Sequence, residues 1–87
     1  MSSETVDWDA VAAIRSSKRR REVVDAIRDD PKYAKEIADQ MGIKRDTVSN
    51  HLLWLKRNGL AKCLTPERSH HRIYGLTEKG EAAAREA

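Results

Sequence analysis

The sequence has no phenylalanine, one cysteine, two prolines and four glycines in 87 residues. Each shortage removes a class of protein. A single thiol, Cys63, cannot close an internal disulfide, and no cysteine pair stands at zinc-finger spacing. No apolar run approaches the ~20 residues that cross a bilayer, and no charged-then-apolar leader opens the chain. The expectation is a cytoplasmic, nucleoid-associated protein without a membrane partner. Eleven of the hydrophobic residues are alanine, so the core will be thin. A chain of this size covers only about 60–65% of its unfolded surface, and a second subunit is a natural supplement. No nucleophile–base set, glycine-rich phosphate loop or paired catalytic carboxylates can be assembled. Neither an enzyme nor a cofactor is expected, and no small-molecule ligand is evident.

What the chain does have is charge, 36% of its residues, arranged in alternating blocks. The net charge is +3. Basic blocks at 15–28, 43–58 and 62–72 alternate with acidic ones at 1–14, 29–41 and 77–87. Such patterning suits a folded domain with one positive face.

The periodicity predicts a mainly α domain over 7–87 with one β-hairpin, an α+β fold, behind a flexible start over 1–6. Asp7 or Asp9 caps a short helix carrying Trp8, Val11 and Ile14. Ser16-Ser17 offers a new cap before a helix with Val23, Val24 and Ile27 inward, which Asp30-Pro31 ends. Helices over 33–41 and 45–58 are separated by a short turn at Gly42-Ile43-Lys44, the spacing of a helix-turn-helix. In that motif Ala38 is small at the crossing, while Ile37, Ile43 and Val48 fill the angle. The period then changes to β-compatible segments within 60–76 around the polar turn 66–71, and Thr77 caps a last helix over 78–86.

Projected at 100° per residue, Val48, Leu52 and Leu55 face the core of the 45–58 helix, with His51 at the edge of that stripe. Asp46, Asn50, Leu53 and Arg57 point outward, with Thr47, Ser49 and Trp54 beside them. Lys44, Arg45, Asp46, Thr47, Ser49 and Asn50 are the side-chain types that base edges and nearby phosphates accept. Arg57 and the hairpin residues Arg68, His70, His71 and Arg72 suit the phosphate backbone. So do Lys18 and Arg19, which share the run Lys18-Arg19-Arg20-Arg21. That run occupies a first helical turn, where the macrodipole disfavours cations and an outside phosphate would compensate.

At these residues the chain resembles the winged helix-turn-helix transcription regulators, and most closely the ArsR-like group of small archaeal and bacterial regulators. The likeness runs through Ser17–Val24, Ala34–Ile43, Asp46–Leu52, Leu55–Leu60 and the exit Arg72-Ile73-Tyr74-Gly75-Leu76-Thr77-Glu78-Lys79-Gly80. It implies a recognition helix at 45–58, a wing at 60–76, double-stranded DNA as partner, and a homodimer formed through the terminal helices. Metals regulate many proteins of this kind, but Cys63 stands alone and the adjacent His70 and His71 face opposite sides of a strand, so no metal site is expected. Trp8, Val11 and Ile14 are too many large apolar groups for one short helix. They either cover the recognition-helix scaffold, with Trp54 as a contact, or meet a second subunit together with Ala82 and Ala83. The dimer contact is the favoured assignment, with monomeric binding through one wing and one helix as the fallback. The expected function is a sequence-specific DNA-binding regulator, a dimeric repressor. The alternative is a winged-helix protein-interaction module that docks a partner through the hairpin or Leu53 and Trp54.

Overall fold

A computed structural model describes residues 6–87. It contains five helices and a three-stranded antiparallel sheet, a winged helix-turn-helix. Helix α1 (Trp8–Arg15) starts where the Asp7 carboxylate accepts the Ala10 N–H at 3.1 Å. Helix α2 (Lys18–Asp29) starts where the Ser17 hydroxyl accepts the Arg20 N–H at 3.1 Å, and it stops at Asp30, before Pro31. Strand β1 (Lys32–Tyr33) leads into α3 (Ala34–Met41). Gly42 then takes a left-handed conformation (φ 69°) that lets its own N–H and that of Ile43 both return to the Ala38 carbonyl. Helix α4 (Arg45–Arg57) follows, then β2 (Ala61–Cys63), β3 (Ile73–Leu76) and α5 (Glu78–Glu86), which is capped by the Thr77 hydroxyl on the Gly80 N–H.

The sheet order is β1-β3-β2, with Tyr33 opposite Ile73 and Cys63 opposite Tyr74. Strand β1 is absent from the sequence reading because two residues are too few to display a period of two. It matters nonetheless, since it stitches the start of α3 to the wing. The hairpin strands are also shorter than the 60–76 pattern suggests. Beyond β2 the Thr65 hydroxyl replaces a backbone partner by accepting the Ile73 N–H at 3.0 Å.

Val23, Val24, Ile27, Ile37, Val48, Leu52, Leu55 and Leu60 form the core, all essentially inaccessible. Val11 and Ile14 (1% exposed each), Ala82 (3%) and Ala83 (0%) are buried in the same chain, where α1 packs on α5. This corrects their assignment to a dimer contact. Side chains already spent on the chain's own core have no surface left for a partner. Of that group only Trp8 is outward, at 61% exposure. The expected loose start over 1–6 lies outside the described residues for 1–5, while Val6 packs partly buried against the core.

Candidate nucleic-acid interface

Helix α4 owes its two faces to its sequence spacing. Val48, Leu52 and Leu55 are sealed beneath it, which forces Arg45, Asp46, Thr47, Asn50, Leu53 and Arg57 outward. Ser49 and His51 lie half-buried at the flanks, and Lys44 is the exposed N-cap. Among the described residues, Arg45, Asp46, Thr47, Asn50 and Arg57 make no side-chain hydrogen bond or ion pair within the chain. Their donors and acceptors are therefore open to an outside partner.

The start of α4 forms one wall of a cleft of about 360 Å³. Arg45, Asp46 and Ser49 face Ser69, His70, His71 and Arg72 of the wing tip across it, with Tyr33, Ala34 and Lys35 from the entry to α3 and Tyr74 from β3 completing the lining. Cations dominate: Lys35, Arg45 and Arg72 with two histidines, against the single carboxylate of Asp46. Lys35 is itself paired with Asp39 at 2.9 Å, and that hydrogen bond and charge raise its pKa above the usual lysine value.

The wing tip is braced internally. The Arg72 Nε donates to the Arg68 carbonyl at 2.6 Å, and an Arg68 Nη donates to the His71 carbonyl at 3.5 Å. His71 sits in the left-handed region at φ 55° and meets the Tyr33 ring edge-on, centroids 5.1 Å apart. Tyr33 thus ties the wing to the helix-turn-helix.

The structure brings Arg45, Asp46, Ser49, His70, His71 and Arg72 to one cleft. Lys44, Thr47, Asn50, Arg57 and Arg68 lie outside its lining, and so do Lys18 and Arg19 on α2. Arg19 pairs with Glu22 at 3.3 Å. Sequence reasoning missed Tyr33, Lys35 and Tyr74. The usable signal for the first two is their place at the entry to the first helix of a helix-turn-helix, the part that crosses the duplex backbone.

His51 and Trp54 lie beside Arg20 of α2. Partial burial, and secondarily the Arg20 charge, pushes the His51 pKa below 6.5. The Arg20 guanidinium lies 4.1 Å from the Trp54 ring centroid. Trp54 is consequently packed against the core rather than displayed beside Leu53. Among the described residues no group of three or more His, Cys, Asp or Glu is disposed to hold a metal ion, and no helix is long and apolar enough to cross a membrane.

A helix-turn-helix with an open polar outer helix, beside a cationic β-hairpin, defines a winged-helix DNA-binding transcription regulator. Residues 17–62 match the bacterial regulatory protein, arsR family, and the chain belongs to that family. Its members are regulators and not enzymes. No curated protein matches the chain in sequence.

Among solved structures, reduced HlyU from Vibrio cholerae is similar with a TM-score of 0.74 at 19% identity, over 90% of this chain and 81% of that one. The homodimeric winged helix-turn-helix DNA-binding domain of Mb0332 from Mycobacterium bovis gives 0.68 at 22% identity, over 98% and 82%. The multiple antibiotic-resistance repressor from Listeria monocytogenes gives 0.74 at 15% identity over 90% of this chain, which spans 54% of that protein. At these identities the likeness is one of fold.

Proposed function

We propose that the protein is a sequence-specific repressor that binds double-stranded DNA as a homodimer, with α4 in the major groove and the wing on the backbone or minor groove. The observation that carries this reading is the cleft where the open N-terminal half of α4 faces the cationic wing tip. The cleft offers base-edge chemistry in Arg45, Asp46 and Ser49, and Thr47 and Asn50 continue it on the exposed face of α4 outside the cleft. Beside it stand phosphate ligands in Lys35, His70, His71 and Arg72. A domain seated in a promoter groove blocks polymerase without any further surface, so repression is its simplest output. The dimer is supported by the outer stripe of α1, where Trp8, Ala12 and Arg15 are exposed one turn apart. The description of the Mb0332 domain as homodimeric also favours it. The interaction-module alternative loses much of its surface, because Arg20 covers Trp54. Leu53, 44% exposed, suits a thymine methyl as well as a protein partner, and Leu64 of the hairpin, 43% exposed, remains to that alternative.

The test begins with selection of bound duplexes from a random pool, followed by binding titrations over a salt series. Asn50→Ala is expected to reduce preference for the selected duplex by about tenfold or more, one good base contact being worth ~1–3 kcal/mol. Arg68→Ala is expected to weaken selected and random duplexes alike and to reduce the salt slope by about one. Equal, salt-independent losses from both variants would refute the division.

A further inference from the structure

We infer that Arg20 is a positioning residue for DNA recognition: with Val48, Leu52 and Leu55 setting which face of α4 is buried, it fixes the fine rotational setting of that helix by tying the Trp54 ring to the Ala13 carbonyl of α1. This rests on α4 being the recognition helix.

Arg20 belongs to a four-cation run, yet it behaves unlike its neighbours. Lys18, Arg19 and Arg21 are exposed, whereas Arg20 is half-buried. It falls on the stripe of Val23, Val24 and Ile27, the inner face of α2. Its guanidinium carbon lies over the Trp54 ring of α4, 4.1 Å from the centroid. One Nη donates to the carbonyl of Ala13 in α1 at 2.8 Å. Three helices therefore meet at one planar group.

This placement is costly. The charge sits in the first turn of α2, where the helix dipole opposes it, and the Nε is buried without a hydrogen-bond partner. An apolar side chain would avoid both penalties but would forfeit the ring contact and the Ala13 hydrogen bond. What arginine adds is direction. A flat cation that must stack on one ring and aim one N–H at a fixed carbonyl permits a narrow range of ring positions. Trp54 stands one helical turn beyond Asn50 on α4, so a rotation of the helix that moves the indole moves the Asn50 amide with it. Arg20 touches no base in this arrangement and acts through Trp54.

The test compares Arg20→Lys and Arg20→Met with the unmodified chain. Each is titrated against the duplex selected from a random pool and against random duplex, over a salt series. Arg20→Lys keeps the charge and cannot both stack and aim. It is expected to lower the ratio of selected to random affinity by about tenfold while leaving the affinity for random duplex and the salt slope unchanged. The Trp54 indole N–H resonance is expected to shift in the same variant. Arg20→Met is expected to retain the full salt slope. A slope reduced by about 0.9 would make Arg20 a phosphate ligand and overturn the inference. Full discrimination by Arg20→Lys would overturn it too, whether or not Arg20→Met folds. Should the unmodified chain enrich no duplex, the recognition-helix reading fails and takes this inference with it.

Discussion

Among the glycines, Gly80 is the one with no room for a side chain. A Cβ placed there would stand 1.9 Å from the Leu60 carbonyl oxygen and 2.8 Å from its carbon, both backbone atoms. That carbonyl also accepts the Thr77 N–H at 3.0 Å, and Thr77 in turn donates its hydroxyl hydrogen to the Gly59 carbonyl at 2.6 Å, so neither side can yield. In an ordinary helix interior, glycine to alanine is favourable by about 1 kcal/mol. Here the sign reverses. Gly80→Ala is expected to cost about 2–3 kcal/mol and to lower the thermal midpoint by roughly 10–20 °C, read by calorimetry or circular dichroism. The sequence marks Gly80 only as a weak helix former, because a close backbone approach across 20 residues leaves no local trace. Arg20 is the opposite case. Its register with Val23, Val24 and Ile27 is legible, but the charge of its neighbours invites a phosphate role, and only the three-dimensional meeting with Trp54 and Ala13 reassigns it.

The elements themselves were largely written in local chemistry. Asp7, Ser17 and Thr77 accept first-turn N–H groups as cap residues should, and Gly42 closes α3 in the left-handed conformation that its position calls for. The face of α4 that meets solvent followed from the spacing of Val48, Leu52 and Leu55 alone. What local pattern could not reach was pairing between distant segments. Examples are β1 with β3, the Tyr33–His71 contact that holds the wing, and the α2–α4 seam around Arg20. That seam carries a pH dependence. His51 has a folded-state pKa below its unfolded value of 6.5, chiefly from partial burial and then from Arg20. Between those two values the unfolded chain binds more protons than the folded one, so stability is fully present above about pH 6.5 and falls as the pH drops through the folded pKa. The thermal midpoint is expected to fall as the pH is lowered from 7 towards 5. A His51→Gln variant should lose that part of the dependence, measured by calorimetry across the range. An identical pH profile in the variant would show that His51 does not control the seam.

At the scale of the molecule, dimensions set how much DNA one copy of the proposed regulator can read. The longest principal extent is 38 Å, and α4 has 13 residues, a rod of about 20 Å at 1.5 Å per residue. Such a rod fills one major groove and cannot reach the next on the same side of the duplex, about 34 Å away. Extended recognition therefore calls for a second recognition helix supplied by a second chain. Val11, Ile14, Ala82 and Ala83 are buried within the chain, which leaves Trp8 as the large exposed apolar side chain of α1. Burying its remaining surface is worth about 2 kcal/mol per copy at ~25 cal/mol per Å², hence about 4 kcal/mol per dimer, roughly a thousandfold in a dissociation constant. Trp8→Ser is accordingly expected to fold normally, since its indole is 61% exposed, while weakening self-association about a thousandfold in sedimentation equilibrium. The same variant should lose affinity for a two-fold symmetric duplex and keep its affinity for a single half-site. An unmodified chain that stays monomeric at micromolar concentration, and binds the half-site as tightly as the symmetric duplex, would reduce the recognition unit to one helix and one wing.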